Sequence, residues 1–359
     1  MHPNKNNFCG GNFQDWLEVN LTDKCNGKCS WCIEKNGYHP DFHAHWSVIV
    51  KQALESKKTN IILLGGEPTL HKDLKQIIHA LFMENRRVWI TTNGGTLSRE
   101  FISENFEGNG ITGINISIHD SDLKQNEKIT GVKIKDIADI VNIVNALHLI
   151  GANVRFNCNC ISGHVDSIET MERYIEFAKR AGADKIRFSE LKQDDGGFVD
   201  LAKVLNHKYG LNDNPFIHGC NSDAVVNGMP VNFRQMCGLQ TSRRTKPENP
   251  VQHAKKVLYY DGKFYDGWQT IKQEGKMGDR YEIATGKKIN FEEEKPEPVR
   301  KSSDDGSPWP TRPSSKIGRL LWGVANGSIS IEEAEVRIKA EQKVVVRVVE
   351  RESSGGCQY

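Results

Sequence analysis

Between residues 16 and 191, short apolar runs alternate with longer stretches whose apolar positions recur at helical spacing. The short runs predict strands over residues 16–21, 60–64, 87–92, 113–118, 153–161 and 185–191. The longer stretches predict helices over 45–54, 74–84, 134–150 and 168–181. Repeated strand–helix alternation calls for a parallel sheet with helices on its outside, and right-handed crossovers would curl it into a partial barrel. In such barrels chemistry gathers at the C-terminal ends of the strands. Residues that carry chemistry are therefore sought there.

Beyond residue 191 the periodicity weakens. Residues 193–197 form a polar, Gly-rich turn, and residues 257–267 read as a hairpin about Asp261-Gly262. Residues 292–315 are rich in charge, Pro and Ser, and Ser330-Ile331-Glu332-Glu333 has the pattern of a capping box opening a terminal helix. The predicted organisation is an N-terminal tail (1–14), an α/β core of six strand–helix units (15–192), an α+β extension covering the mouth (193–291), a flexible linker (292–315) and a terminal helix and tail (316–359).

The 359 residues are 37% hydrophobic and 26% charged, enough apolar material for a sizeable core. A formal net charge of +2 argues neither for nor against a nucleic-acid partner. No run approaches a membrane span, and residues 1–11 lack the apolar core of a signal peptide, so the expected location is the cytoplasm, with no membrane partner. Nine cysteines, an odd number, favour metal or redox use over a disulfide framework.

The most informative stretch follows the first strand: Thr22-Asp23-Lys24-Cys25-Asn26-Gly27-Lys28-Cys29-Ser30-Trp31-Cys32. Three thiolates so closely spaced can wrap a loop around one face of an iron–sulfur cubane and leave one iron open. The alternatives are a structural zinc, with His39, His43 or His45 as fourth ligand, and three unrelated cysteines. The other strand ends add further polar groups. The second ends in Gly65-Gly66-Glu67-Pro68, where glycines admit a ligand to the backbone and Glu67 supplies a carboxylate. The third ends in Thr91-Thr92-Asn93-Gly94 and the fourth in Ser117-Ile118-His119, with His119 read as a solvated loop residue. On the fifth strand, alternation puts Arg155, Asn157 and Asn159 on one face and Cys158 and Cys160 on the other, as packing residues. On the sixth, Arg187 and Glu190 read either as a buried ion pair or as part of the site.

The C-x3-C-x2-C spacing, with an aromatic before the last cysteine and GGEP at the second strand end, resembles the signature of the radical S-adenosylmethionine (SAM) superfamily. The resemblance implies a partial (β/α)6 barrel, a [4Fe–4S] cluster on Cys25, Cys29 and Cys32, and SAM as cofactor, cleaved by one electron to a 5′-deoxyadenosyl radical. It also implies a reducing partner such as flavodoxin or ferredoxin. Over residues 17–192 the chain is similar to the GTP cyclases of molybdenum-cofactor biosynthesis, in TDKCNGKC, GGEPTL, TTNG, the Lys128-Ile129-Thr130-Gly131 turn, Asn157 ahead of Gly163, and RFSEL. By that likeness Trp31, Gly65, Gly66, Glu67, Ser117, Asn157 and the backbone near Lys192 would hold SAM. Thr92, Asn93 and Arg155 would face substrate, with Arg155 where those enzymes place a basic residue on phosphates.

The departures concern the substrate. Those cyclases carry an Arg on the first strand, where this chain has Glu18. They carry a second cluster at C-x2-C-x13-C, whereas Cys220, Cys237 and Cys357 are too far apart to match. Their bare Gly-Gly ending is followed here by Cys357-Gln358-Tyr359. GTP cyclisation is therefore rejected. The hairpin also resembles the extensions of peptide-modifying radical SAM enzymes, but Gly267-Trp268 stands where they carry a cysteine, so zinc or nothing is expected at Cys220 and Cys237. The expected activity is hydrogen-atom abstraction from a small polar or nucleotide-like molecule, with no side chain assigned as catalyst. Tyr259, Tyr260, Cys220 and Cys237 are candidate quenchers of a product radical. The alternatives are a peptide or protein side chain as substrate, and a zinc-stapled module without catalysis that binds nucleic acid through Arg243, Arg244, Lys255 and Lys256.

Overall fold

A computed structural model describes residues 15–35, 39–191, 197–211, 215–216, 220–236, 256–266, 268, 330 and 333. Its centre is a single sheet in the order β10-β9-β1-β2-β3-β4-β5-β6-β8-β7. The six predicted strands are there as β1 (Trp16–Asn20), β2 (Asn60–Leu64), β3 (Arg87–Thr92), β4 (Ile111–Ser117), β5 (Asn153–Asn159) and β6 (Lys185–Ser189), each parallel to the next. Helices α1 (Trp46–Glu55), α2 (Leu74–Met83), α3 (Arg99–Asn105), α4 (Leu123–Thr130), α5 (Ile137–Leu149) and α6 (Ile168–Ala181) fill the crossovers. This is the parallel α/β arrangement that the alternation predicts. No helix among the described residues is long and apolar enough to cross a membrane.

Period-two burial explains the layers. Leu17, Val19, Ile61, Leu63, Val88, Ile90, Ile114, Ile116, Val154, Phe156, Ile186 and Phe188 point outward, essentially without exposure, and meet the apolar stripes of the helices. The opposite face is the lumen. There β1 contributes Trp16, Glu18 and Asn20, β4 contributes Asn115 and Ser117, and β5 contributes Arg155, Asn157 and Asn159. Trp16 and Trp89, with ring centroids 5.9 Å apart, fill the base. Gly113 lies beside Trp89 in the register, and its missing side chain makes room for that ring.

Both edges are extended. After the short α7 (Leu201–Val204), β7 (Asn221–Val226) and β8 (Met229–Arg234) form a hairpin whose second strand runs parallel to β6. At the other edge β9 (Lys256–Leu258) runs parallel to β1, and β10 (Phe264–Asp266) returns antiparallel through the turn about Gly262. The second hairpin is the one predicted. The first is not, although Asn227 and Gly228, at φ 50° and 81°, supply a turn of the kind that hairpins favour. Helices α3 and α4 also lie outside the prediction. Among their side chains only Ile102, Asn126 and Thr130 are buried, so no apolar stripe marks them. At the far end, the Glu333 N–H donates to Ser330 Oγ at 3.1 Å, one half of the expected capping box. The N-terminal tail, the linker, and Lys192, Cys237, Arg243, Arg244, Lys255 and Cys357 lie outside the described residues.

A side chain at position 113 would sit 2.4 Å from Trp89 and 2.8 Å from the Asn153 carbonyl. Gly113→Ala is expected to lower unfolding free energy by about 1–3 kcal/mol, through overpacking at the base. Urea denaturation read by Trp fluorescence checks this.

Candidate functional site

The cysteine loop leaves β1 at Leu21 and is held through its backbone by other segments. The Gly66 N–H donates to the Thr22 carbonyl at 2.6 Å, and the Glu67 N–H to the Lys24 carbonyl at 2.7 Å. The Lys28 N–H donates to the Thr130 carbonyl at 2.6 Å, where Gly131 ends α4 in the left-handed conformation. The glycines at 65 and 66 are a steric requirement. A Cβ at Gly66 would lie 2.3 Å from the Lys24 oxygen, and Gly65 has φ 124°.

Glu67 locks this loop to the third strand. Its carboxylate is 1% exposed. Oε1 accepts from the Thr69 N–H (3.1 Å) and from the hydroxyls of Thr69 (2.5 Å) and Thr92 (2.7 Å), while Oε2 accepts from the Asn93 N–H (2.7 Å). Asn93 then turns its amide to Asn26 Oδ1 at 2.6 Å and to Cys25 Sγ at 3.8 Å. Cys25 Sγ also accepts from the Gly27 N–H at 3.2 Å.

Cys25 is exposed, while Cys29 and Cys32 are half-buried. Burial, and then the neighbouring Cys32 and Cys25, push the Cys29 thiol up to about 12. Burial, reinforced by the Glu67 carboxylate and Cys32 and partly offset by the Gly27 N–H and the Asn93 amide, also raises Cys25. Thiols crowded in this way resist ionising together, and a polycationic centre relieves that resistance. Among the described residues no three His, Cys, Asp or Glu side chains gather for one metal ion. A cubane takes each of its three thiolates on a separate iron, so it does not require ligands that converge on one point. The histidines offered to zinc are used elsewhere: His43 Nε2 with Asp23 (3.1 Å), His45 as the cap of α1, and His39 Nδ1 beside the Tyr260 hydroxyl (3.5 Å). The donor set and its glycine cradle fit an iron–sulfur cluster with SAM beside it.

Trp31 is buried with Ile161 and Leu191, its ring meeting His119 edge-on at 5.4 Å. His119 differs from expectation: it is buried, and burial drives its pKa down to about 4. Its Nδ1 accepts the Asn159 N–H at 3.0 Å, so the neutral ring carries its proton on Nε2. Ser117 and Asn157 stand side by side on the lumen face in the register, and Asn157 Oδ1 accepts from Arg155 Nε at 3.0 Å. The structure thus gathers Cys25, Cys29, Cys32, Gly65, Gly66, Glu67 and Asn93 into one bonded unit, with Trp31, Ser117, Asn157 and Arg155 along the same wall and mouth.

Some placements correct the sequence reading. Thr92 is buried with its hydroxyl given to Glu67, so it braces the site and does not face substrate; Thr91, bonded to Asn115 at 3.0 Å, is the lumen residue. Asn93 likewise braces the cysteine loop. Arg187 and Glu190 do not pair. Arg187 faces the lumen and donates to Asn232 at 2.8 Å, while Glu190 accepts the Leu201 and Met236 N–H groups (3.1 and 2.8 Å) and secures the extension. Cys220 is disulfide-bonded, in place of zinc or nothing at that position. Tyr259 and Tyr260 are buried, with His43 stacked on Tyr260 at 4.4 Å. Asn232 and Arg234 escaped the sequence reading because their hairpin did.

Residues 19–188 match the model of the Radical SAM superfamily, and the chain carries a radical SAM domain, whose cofactors are a [4Fe–4S] cluster and SAM. Among curated proteins, the GTP 3',8-cyclase of Actinobacillus pleuropneumoniae serotype 3 (strain JL03) is 32% identical over 125 residues, covering 32% of this chain and 36% of the relative. That of Haemophilus influenzae (strain 86-028NP) is 28% identical over 188 residues, covering 50% and 53%. The chain thus spans between about a third and about half the length of these relatives. Among solved structures, Streptococcus suis SuiB aligns with a TM-score of 0.48 at 18% identity, covering 70% of this chain and 59% of that one.

His119 yields a pH prediction. Its folded pKa, about 4, lies below the unfolded value near 6.5, so the unfolded state takes up the proton first as pH falls. Its stabilising contribution is complete above pH ~6.5 and is lost as pH falls toward ~4, on the order of 3 kcal/mol in total. His119→Gln is expected to flatten the fall in unfolding free energy between pH ~6.5 and ~5, measured by urea titration at each pH.

Proposed function

We propose that this protein is a radical SAM enzyme that abstracts a hydrogen atom from a small polar or nucleotide-like substrate in the barrel lumen. The observation that carries this reading is the bonded unit of cysteine loop, Gly65-Gly66-Glu67 turn and Asn93, which presents three thiols at the mouth of a polar lumen. When bound, the cluster supplies an electron and SAM supplies the hydrogen-abstracting deoxyadenosyl group.

In this reading Cys25, Cys29 and Cys32 hold the cluster. The backbone at Gly65 and Gly66, the remaining lone pairs of Glu67, and Ser117, Asn157 and the segment at Lys192 receive SAM. Trp31 and His119 shield the inner side of the loop from water. Arg155 lies deeper on the same wall as Ser117 and Asn157, where it would orient an anionic substrate group. The electron donor is a small reducing protein such as flavodoxin or ferredoxin. The peptide-modifying alternative draws on the β9–β10 hairpin alone.

The test is anaerobic reconstitution with iron and sulfide, then dithionite and SAM, with chromatography for 5′-deoxyadenosine. Product is expected from the wild type and only background from Cys29→Ala. A protein that takes no cluster and instead holds one tightly bound zinc would overturn the proposal.

A further inference from the structure

The aromatic side chains of the β9–β10 hairpin form a connected chain that the proposed function leaves unused. Trp268 stands at its inner end, its Nε1 donating at 2.6 Å to Oε2 of Glu18 on the lumen face of β1. Tyr259 follows, its ring centroid 6.0 Å from that of Trp268, 4.8 Å from Tyr265 and 6.3 Å from Tyr260. Tyr260 reaches the surface under the exposed ring of His43, stacked on it at 4.4 Å and 14°. His43 in turn meets Asp23, two residues before Cys25, at 3.1 Å. The chain therefore joins the lumen to the outer side of the cysteine loop.

Packing alone does not account for the residue types. Tyr259, Tyr260 and Val257 form a buried cluster that apolar rings would fill equally well. Instead the polar heads face groups that can keep a proton. Trp268 faces the Glu18 carboxylate, the Tyr265 hydroxyl donates to Asp261 Oδ2 at 2.7 Å, and the Tyr260 hydroxyl lies 3.5 Å from His39 Nδ1. Asp261 is itself fixed by the Lys263 N–H, 3.0 Å from its other oxygen. A tyrosine gives up an electron readily only when its O–H proton leaves with it, so a positioned acceptor is what one-electron chemistry asks of the fold. Burial, with Asp23, Glu34 and Asp261 nearby, pushes the Tyr260 phenol well up, so its proton stays in place until an electron departs.

We infer that this chain is a proton-coupled electron relay, which returns an electron to a carbon radical left in the lumen and so closes the reaction by reduction. The inference rests on the proposed function in taking the lumen as the place where such radicals arise. The radical carbon takes one electron from Trp268 and one solvent-exchangeable proton, and a C–H bond forms. Trp268 passes its N–H proton to Glu18. It is refilled by an electron from Tyr265 through Tyr259, as the Tyr265 O–H proton moves to Asp261 and Glu18 returns the indole proton. The radical on Tyr265 then takes one electron from a one-electron reducing protein at His43, by way of Tyr260 and Tyr259, and its proton back from Asp261. The sum is one electron from the reductant and one proton from water, added to the carbon radical.

The test has two arms. In the first, the full-length protein is illuminated with ruthenium tris-bipyridine and persulfate, frozen, and read by electron paramagnetic resonance, which needs neither cluster nor SAM. The wild type is expected to give a tyrosyl signal that is severalfold weaker in Tyr265→Phe and in Asp261→Asn. Asp261→Asn keeps the ring and an acceptor but no place for the proton, and it decides this arm if Tyr265→Phe does not fold, as melting temperatures report. Tyr209→Phe, whose ring stacks on Phe233 outside the chain, is expected to keep the signal. In the second arm, the reconstituted holoenzyme receives SAM and dithionite in D2O without substrate, so that the deoxyadenosyl carbon stands in for a substrate radical. Mass spectrometry of the 5′-deoxyadenosine is expected to show solvent deuterium from the wild type and severalfold less from Trp268→Phe, or from Tyr259→Phe if that protein does not fold. A tyrosyl signal indifferent to Tyr265→Phe and Asp261→Asn, or a deuterium content indifferent to the loss of Trp268 or Tyr259, would overturn the inference. No deoxyadenosine at all would instead fail the proposed function, and the first arm would still decide whether the relay conducts.

Discussion

The Glu67 carboxylate is the contact on which the rest of the site depends. Buried and taking hydrogen bonds from Thr69, Thr92 and the backbone of Asn93, it fixes the end of β2 to the end of β3. Through Asn93 the same contact reaches Asn26 and Cys25, and through its own N–H it reaches the backbone of Lys24. A buried carboxylate is tolerable only because so many donors surround it, and the same donors would be left unpaired without it. The brace and the cysteine loop therefore stand or fall together.

Much of this was legible in the sequence, for a physical reason. Strands and helices whose outward faces are apolar, such as β2 and α6, announce their limits, because burial against a neighbouring layer demands an uninterrupted pattern. The cysteine spacing and the paired glycines were legible for the same kind of reason: few other residues fit those places. Elements held by hydrogen bonds left no such trace. Helix α4 buries Asn126 and Thr130, whose side chains bond the backbone of His119 and the helix itself.

Side-chain direction at the strand ends was the harder part. Thr91 and Thr92 are chemically alike, and only the register decides which one meets the lumen. Arg187 and Glu190 stand three apart, an odd interval that sends them to opposite faces of a strand, so parity alone argued against their pairing. His119 was read as a solvated loop residue, but it is buried, with Trp31 from a distant part of the chain meeting its ring edge-on.

The backbone of the cysteine loop is tied at Thr22, Lys24 and Lys28 by groups that belong to the folded barrel. None of these ties involves a thiol. Folding of the barrel thus fixes these three points of the loop through backbone groups alone, so part of the entropy of ordering it is charged to folding and not to metal capture. A cluster lost to oxygen would leave behind a template, and rebuilding it would be a matter of supplying iron and sulfide to a site that has not forgotten its form.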